Sequence, residues 1–279
     1  MSELTLLTLP IGNPQDITLR ALEALKTESF FLAEDTREFV KLMRVYGIDT
    51  KSKEIDSFHD HSSDKIAPLI QKILDGRPLV LVSDAGSPII SDPAYPLVKA
   101  ALEKGIKLRT FPGVTSLVTA LELSGLPPHP LHFFGFLSRD DSGKKQSFEF
   151  CSRLPGTHVF FESPHRMEKT LALLAEQFPE TQVATARELT KTFETVNRFR
   201  AKDWKNEDIR AQGEFVLLLN FAEEEAQEDS EKLRLKEMAL ELIEHGLNQK
   251  KLSKLLADLT GLPGKDVYNK LTLKKDPKA

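Results

Sequence analysis

Leu79-Val80-Leu81-Val82-Ser83-Asp84-Ala85-Gly86-Ser87-Pro88 is the stretch that decides the fold. A short, fully apolar run breaks off into small, polar residues around a glycine. A strand buried on both faces of a parallel sheet reads this way where it delivers a loop to the sheet edge. The pattern recurs three times. Leu4-Thr5-Leu6-Leu7-Thr8-Leu9 leads into Pro10-Ile11-Gly12-Asn13, and Phe30-Phe31-Leu32-Ala33 leads into Glu34-Asp35-Thr36-Arg37. Ile106-Lys107-Leu108-Arg109-Thr110-Phe111 leads into Pro112-Gly113-Val114-Thr115-Ser116. Loops at the C-ends of parallel strands face one crevice, which is where open α/β sheets bind ligands.

The chain has 279 residues, enough for two domains. Its 40% hydrophobic content suffices for packed cores. No apolar run reaches the roughly 18 residues of a membrane span. Met1-Ser2-Glu3 lacks the basic start of a secretion signal, so a cytoplasmic protein is expected. Cys151 is the only cysteine, which excludes an intrachain disulfide and a cysteine metal cluster.

Helix and strand alternate up to residue 111, which predicts a parallel, doubly wound sheet in an N-terminal α/β domain over 1–112. Residues 16–26 form its first helix, with Ile17, Ala21, Ala24 and Leu25 on one face and Asp16 as the N-cap. Asp92-Pro93 opens another helix over 92–104. A helix over 114–124 is stopped by Gly125-Leu126-Pro127-Pro128. Strands follow at 131–136, 157–162, 182–187, 192–199 and 213–220, with helices at 144–152 and 164–177. The short connections favour antiparallel pairing, so a second α/β domain with a mixed or antiparallel sheet spans 113–222. An acidic run over 223–231 then precedes a small helical domain over 232–279. There Leu235, Met238, Leu242 and Ile243 mark one helix, and Leu252, Leu255, Leu256 and Leu259 a second. Val267, Tyr268 and Leu271 mark a third, and the glycine turns between them suggest a helix-turn-helix unit.

Gly12, Gly86 and Gly113 lack a Cβ and let a ligand approach the backbone. Neither a GxGxxG after the first strand nor a GxxxxGK[ST] is present, which disfavours dinucleotide and P-loop chemistry.

In order along the chain, these motifs resemble the tetrapyrrole methylase superfamily, and within it the ribosomal RNA small subunit methyltransferase I group. They are Pro10-Ile11-Gly12-Asn13, Glu34-Asp35-Thr36-Arg37, Ser57-Phe58-His59-Asp60-His61, Ser83-Asp84-Ala85-Gly86-Ser87-Pro88 and Pro112-Gly113. Gly125-Leu126-Pro127, Phe161-Glu162-Ser163-Pro164-His165-Arg166, Ala186-Arg187-Glu188-Leu189-Thr190-Lys191 and Gly213-Glu214 complete the series. The first loop stands where corrin-type methylases carry a longer glycine-rich loop ending in Asp, and Ser87 stands where Thr is expected.

The resemblance implies methylation of the ribose 2′-hydroxyl of a cytidine in 16S rRNA, with S-adenosylmethionine as cofactor. It implies a homodimer and a cofactor lying between the two domains. Pro10 and Gly12 would border the cofactor, while Asp84, Ala85 and Gly86 would hold its methionine end or ribose. Gly113 and Ser116 would line the opposite side, with Leu126 and Pro127 near the adenine. Holding the nucleophile in line removes an entropic barrier. A base for the weakly acidic hydroxyl contributes about 10²–10⁴-fold. Glu162, Arg187, Glu188 and Lys191 are the catalytic candidates, beside Arg166 and Glu194; their alternative is a structural ion-pair network. Asp35, Arg37, His59, His61 and Arg166 are candidates for substrate contact. His59 and His61 would share a strand face, but a third metal ligand is missing.

RNA binding needs positive charge. Residues 232–279 carry a net charge of +5 and the preceding body −9. The tail, with Arg139, Lys144 and Lys145, is therefore the expected phosphate-binding supply, unless it is only a solvated helical cap. Two other functions fit the sequence: tetrapyrrole C-methylation, and a non-catalytic, cofactor-sensing nucleic-acid binder.

Overall fold

The computed structural model describes residues 3–59, 62–90, 94–221, 248–260, 263 and 265. Five parallel strands, β1 Glu3–Leu7, β2 Phe30–Ala33, β3 Glu54–Ser57, β4 Leu79–Val82 and β5 Lys107–Phe111, form the first sheet. Their order is β3-β2-β4-β1-β5, so β1 and β4 lie at the centre. Helices α1 Leu19–Thr27, α2 Thr36–Val45, α3 Ile66–Leu74 and α4 Tyr95–Glu103 supply the crossovers. Leu4, Leu79 and Leu81 pack against Leu69, Ile73 and Leu97 of α3 and α4 on one face. Leu7, Phe31 and Val80 pack against Leu25, Phe39 and Met43 of α1 and α2 on the other. Burying each such side chain contributes about 1.5–3 kcal/mol, which requires helices on both faces. All five C-ends, and the loops they deliver, share one edge.

Asp16 does not cap α1. It lies in a 3-10 turn, Pro14–Asp16, and Thr18 caps the helix by accepting from the Ala21 N–H. The hydroxyl two residues nearer the helix reaches the free first-turn amide. Ala21, Ala24 and Leu25 are buried as the spacing predicts. Asp92 and Pro93 lie outside the described residues.

The second sheet holds β6 Leu131–Phe136, β7 Thr157–Glu162, β8 Gln182–Arg187, β9 Thr195–Arg200 and β10 Phe215–Asn220, in the order β6-β7-β10-β8-β9. β10 pairs antiparallel with β7 and β8, and β8 with β9, whereas β6 runs parallel to β7. Helix α6, Asp141–Ser152, is the crossover that makes the parallel pair possible. Alternation along β10 divides its residues cleanly. Phe215, Leu217 and Leu219 pack against α6 and α7, Pro164–Gln177, while Val216 and Leu218 join Ala120 of α5, Ser116–Ser124. Ile11, from the loop after β1, enters that second cluster.

Both sheets belong to one compact unit, Met1–Cys151 with Pro155–Phe221. A second unit comprises Ser152–Leu154 and Ala222–Ala279. In it helix α8, Gln249–Thr260, matches the middle one of the three tail helices, and Asn248 caps it by accepting from the Lys250 N–H at 2.9 Å. The run 223–231 and the other two tail helices lie outside the described residues. Among the described residues no helix is long and apolar enough to cross a membrane.

Candidate functional site

Hydrogen bonds lace the loops at the C-edge of the first sheet together. The Leu9 N–H donates to the Gly86 carbonyl at 3.0 Å, and the Gly86 N–H donates back at 3.1 Å. The Thr8 N–H reaches the Phe111 carbonyl at 3.1 Å, which ties the loop after β1 to β5. The Ser83 hydroxyl folds the β4 loop on itself by donating to the Ala85 carbonyl at 3.0 Å. Gly86 has φ +70°, a left-handed conformation that favours glycine. Gly113 is packed so closely that a Cβ there would lie 3.1 Å from the Thr8 methyl. The Asp35 N–H donates to Asp84 Oδ1 at 2.9 Å and links the β2 and β4 loops.

Above these loops opens a cleft of about 520 Å³, within the ~300–1,000 Å³ of small-molecule sites. Its first wall is polar and small: Glu34, Asp84, Ala85, Gly86, Ser87 and, from the start of α5, Thr115 and Ser116. The facing wall is largely apolar, with Phe136, Phe161, Ala186, Phe215 and Val216 beside Ser163 and Pro164. None of the described lining residues is Lys, Arg or His. Two helix N-termini, those of α5 and α7, border the cleft, and neither carries a side-chain cap. Helix starts of this kind favour anions.

Glu162 sits in the cleft wall, but its carboxylate is engaged on every side. Oε1 accepts from the Ser163 N–H at 2.7 Å and pairs with Arg166 Nη2 at 2.5 Å. Oε2 accepts from the Thr170 hydroxyl at 2.7 Å and pairs with Lys144 Nζ at 2.9 Å. Lys144 in turn donates to Thr170 Oγ1. The side chains of Lys144 and Glu162 are 1% and 0% exposed. A carboxylate held this way positions its neighbours and has no lone pair left to take a proton. The same geometry corrects the expectation that Lys144 contributes to a phosphate-binding surface: it is buried beneath α7. Arg139 is exposed, and Lys145 pairs with Glu176 at 3.4 Å.

Arg187, Glu188 and Lys191 lie together at the end of β8, outside the cleft lining. Arg187 donates to the carbonyls of Gln212 and Phe193. Glu188 Oε1 accepts from Lys191 Nζ and from the Glu214 N–H, both at 3.0 Å. Burial opposes ionisation of Glu188, yet the Lys191 and Glu214 hydrogen bonds hold its carboxyl below the usual carboxylate range. Lys191 also pairs with Glu214 at 3.0 Å. Glu194 accepts from the Thr190 N–H at 2.7 Å. Glu188 and Thr190 both have positive φ, 52° and 65°. The Thr190 hydroxyl accepts from the Asn13 N–H at 3.0 Å, so this strained turn buttresses the loop after β1.

Asp84, Ala85, Gly86 and Ser116 therefore line the cleft, with Glu162 in its wall. Pro10 is buried, and Gly12 is pressed against Leu189, Thr190 and Lys191, where a Cβ would lie 2.5 Å from Lys191 Cγ. Gly113 supports Thr8. Leu126 bonds back to Ser124, and the Pro127 carbonyl accepts from Thr157, so neither borders the cleft. These five shape loops rather than the wall. Asp35 caps α2 and pairs with Arg37 at 2.6 Å; the Arg37 hydrogen bonds hold its carboxyl well below the usual range. His59 closes a tight turn through the Ser62 hydroxyl at 3.0 Å, and His61 lies outside the described residues. Among those residues no cluster of His, Cys, Asp or Glu is arranged to hold a metal ion. Burial pushes the Cys151 thiol up to about 12, which makes it a poor nucleophile.

Residues 3–204 match the family model of the Tetrapyrrole (Corrin/Porphyrin) Methylases. The chain belongs to this family. It is 35% identical over 283 residues to the Bacillus subtilis protein named Ribosomal RNA small subunit methyltransferase I, covering 99% of this chain and 96% of that one. A Halalkalibacterium halodurans protein of the same name is 37% identical over 273 residues, covering 95% and 93%. Solved structures share the fold. A diphthine synthase aligns with a TM-score of 0.62 at 15% identity, over 83% of this chain and 95% of that one. A Thermus thermophilus uroporphyrin-III C-methyltransferase complexed with S-adenosylhomocysteine aligns at 0.55 and 18% identity, over 79% and 97%.

Among the cleft residues, Glu34, Ser163, Pro164 and Phe136 were not among the candidates drawn from the sequence. The first three were signalled by their place just beyond strand C-ends. Lys144 stands four and seven residues before the buried Phe148 and Cys151, so helical spacing puts it on the buried face.

Proposed function

We propose that this protein methylates the ribose 2′-hydroxyl of a cytidine in small-subunit ribosomal RNA, with S-adenosylmethionine as donor, as a cytoplasmic homodimer. The observation that carries this reading is the charge of the cleft. Its polar wall bears Glu34 and Asp84, and its described lining has no cationic side chain. That suits a donor carrying a sulfonium and an ammonium, and it opposes a phosphate-bearing cofactor. The relatives' shared name supplies the acceptor class.

Asp84 and Glu34 would hold the ammonium end. The uncapped amides at the start of α5, with Ser116, would receive the carboxylate. Ala85 and Gly86 leave room for close approach of the backbone. When bound, the donor supplies an electrophilic methyl group on sulfur. The chain's task is then to exclude water and align the acceptor oxygen. The apolar wall excludes water, and the start of α7, fixed by Glu162 through Ser163, presents a positive helix end to a developing alkoxide. Arg187, Glu188 and Lys191 act by positioning, since they hold the turn that supports the β1 loop. Asp35 and Arg37 sit on the rim for contact with RNA, and residues 232–279 add the charge the acidic body lacks.

The test is incubation with labelled donor and, separately, isolated small ribosomal subunits, naked rRNA and a tetrapyrrole, followed by nuclease digestion and mass spectrometry. Label on one cytidine ribose is expected. Label on a porphyrinoid carbon, or donor binding without transfer, overturns the reading.

A further inference from the structure

Phe136 ends β6 and is 61% exposed. Its direction is set by an irregularity in the backbone. Phe133 pairs with Val159 and Phe136 with Phe161, so three steps along β6 match two along β7. Gly135 takes φ +69° at this bulge. Regular alternation would place Phe134 and Phe136 on the same face. Instead Phe134, 39% exposed, stacks on Phe160 of the core beneath α6 and α7, with ring centroids 5.1 Å apart. Phe136 meets Phe161 on the cleft face at 5.4 Å and 65°, as Phe133 does at 5.1 Å and 66°. The bulge thus turns Phe136 out of the packed face and onto the cleft, a use of bulges common beside active sites.

Phe161 holds the Phe136 ring edge-to-face, which leaves a flat aromatic surface at the cleft mouth. Phe136 is also shared with an adjoining groove of about 380 Å³, lined among others by Phe134, Phe150, Gln146 and Ser147. The ring therefore divides the donor cleft from a second, mainly apolar recess with amide and hydroxyl groups at hand. Sequence-specific RNA recognition mostly targets single-stranded segments, whose unstacked bases take aromatic side chains as stacking partners.

We propose that Phe136 is that partner: the acceptor nucleobase stacks on its ring while the ribose enters the cleft. This rests on the RNA-methylating reading above and adds the residue that seats the base. Stacking does not distinguish bases, so the hydrogen-bonding groups of the adjoining recess are the natural source of base preference.

The experiment compares full-length wild type with Phe136→Tyr, Phe136→Leu and Phe136→Ala on small ribosomal subunits. Donor affinity is measured by calorimetry and folding by thermal unfolding. Removing the π-face is expected to lower kcat/KM for the RNA by about 5- to 150-fold in the Leu and Ala variants. The Tyr variant, which keeps the π-face, is expected to lose less than the Leu and Ala variants, and the loss falls on kcat/KM for the RNA and not on donor affinity. Gly135→Ala, strained at its positive φ, should reproduce the loss by misdirecting the ring. A Leu variant as active as wild type overturns the stacking role alone. So does a loss that falls on donor affinity, which would mean that the ring stacks on the donor's adenine. Wild-type protein that methylates no RNA overturns the underlying reading and the stacking role with it.

Discussion

Replacing Glu162 with Gln separates a structural carboxylate from a catalytic one. The substitution keeps the shape and removes the charge that Lys144 and Arg166 share. Arg166 is partly exposed and can turn to water, but Lys144 is left buried with the Thr170 hydroxyl as its remaining partner. The new amide also brings a donor to a site where Ser163, Thr170, Lys144 and Arg166 already donate. Breaking a buried pair from one side costs about 3–5 kcal/mol. At about 2–4 °C per kcal/mol for a chain of this size, Tm falls by roughly 6–20 °C. Lys144→Met should cost less, because Glu162 retains Arg166, the Ser163 amide and Thr170. The double variant should recover much of the loss, since the stranded ammonium is gone. Thermal unfolding followed by circular dichroism reads all three. If Glu162→Gln shifts Tm by less than about 2–4 °C, the equivalent of one kcal/mol, and still abolishes methyl transfer, the carboxylate acts on the substrate and the positioning argument is refuted.

The buried His158 makes stability sensitive to acid. Burial and the facing His132 ring push it down to about 4, against about 6.5 in an unfolded chain. The unfolded state therefore takes up the proton first as pH falls through this window. Its contribution is complete above about pH 6.5 and declines by about 3 kcal/mol towards pH 4. His158→Phe, beside Phe134 and Phe221, should flatten urea-unfolding midpoints across that range; an unchanged acid slope sinks the assignment. Gly213→Ala places a Cβ 2.5 Å from Glu188 Oε1 at φ +84°. It should cost about 1–3 kcal/mol, read as a lower Tm together with weaker donor binding in calorimetry. Thr190→Val removes the acceptor for the Asn13 amide, which should weaken donor affinity while leaving RNA affinity intact. Truncation before residue 232 should do the reverse, and an equal loss of both affinities counts against a role of that segment in RNA binding.

The apolar runs ending at Leu7, Ala33 and Val82 were legible because a strand covered on both faces needs no polar alternation. That feature also placed their loops along one edge. β5 is an edge strand with Lys107, Arg109 and Thr110 exposed, and only the loop after Phe111 marked it. The second sheet was legible as strands, with 131–136, 157–162 and 182–187 falling where their β-branched and aromatic content predicts. Its antiparallel pairs were legible in the short connections, but the direction of β6 was not. Whether β6 runs with or against β7 depends on the α6 crossover, which short-range spacing does not encode. Charges were hardest to read. Lys144 and Glu162 look like surface residues in composition, and only their mutual pairing makes their burial tolerable. Phe136 escaped notice because its direction depends on one left-handed glycine and not on the period of the strand.

The laced loops under the cleft have an evolutionary corollary. What they offer a small molecule is amide groups, gaps where side chains are missing, and the two carboxylates of Glu34 and Asp84. Mutation elsewhere in the sequence scarcely alters such features, provided a few glycines and those two carboxylates survive. The facing wall is made of side chains, which substitution changes directly. One half of the cavity is thus built to stay constant and the other to diversify, so new methyl acceptors can be acquired without rebuilding the seat of the donor.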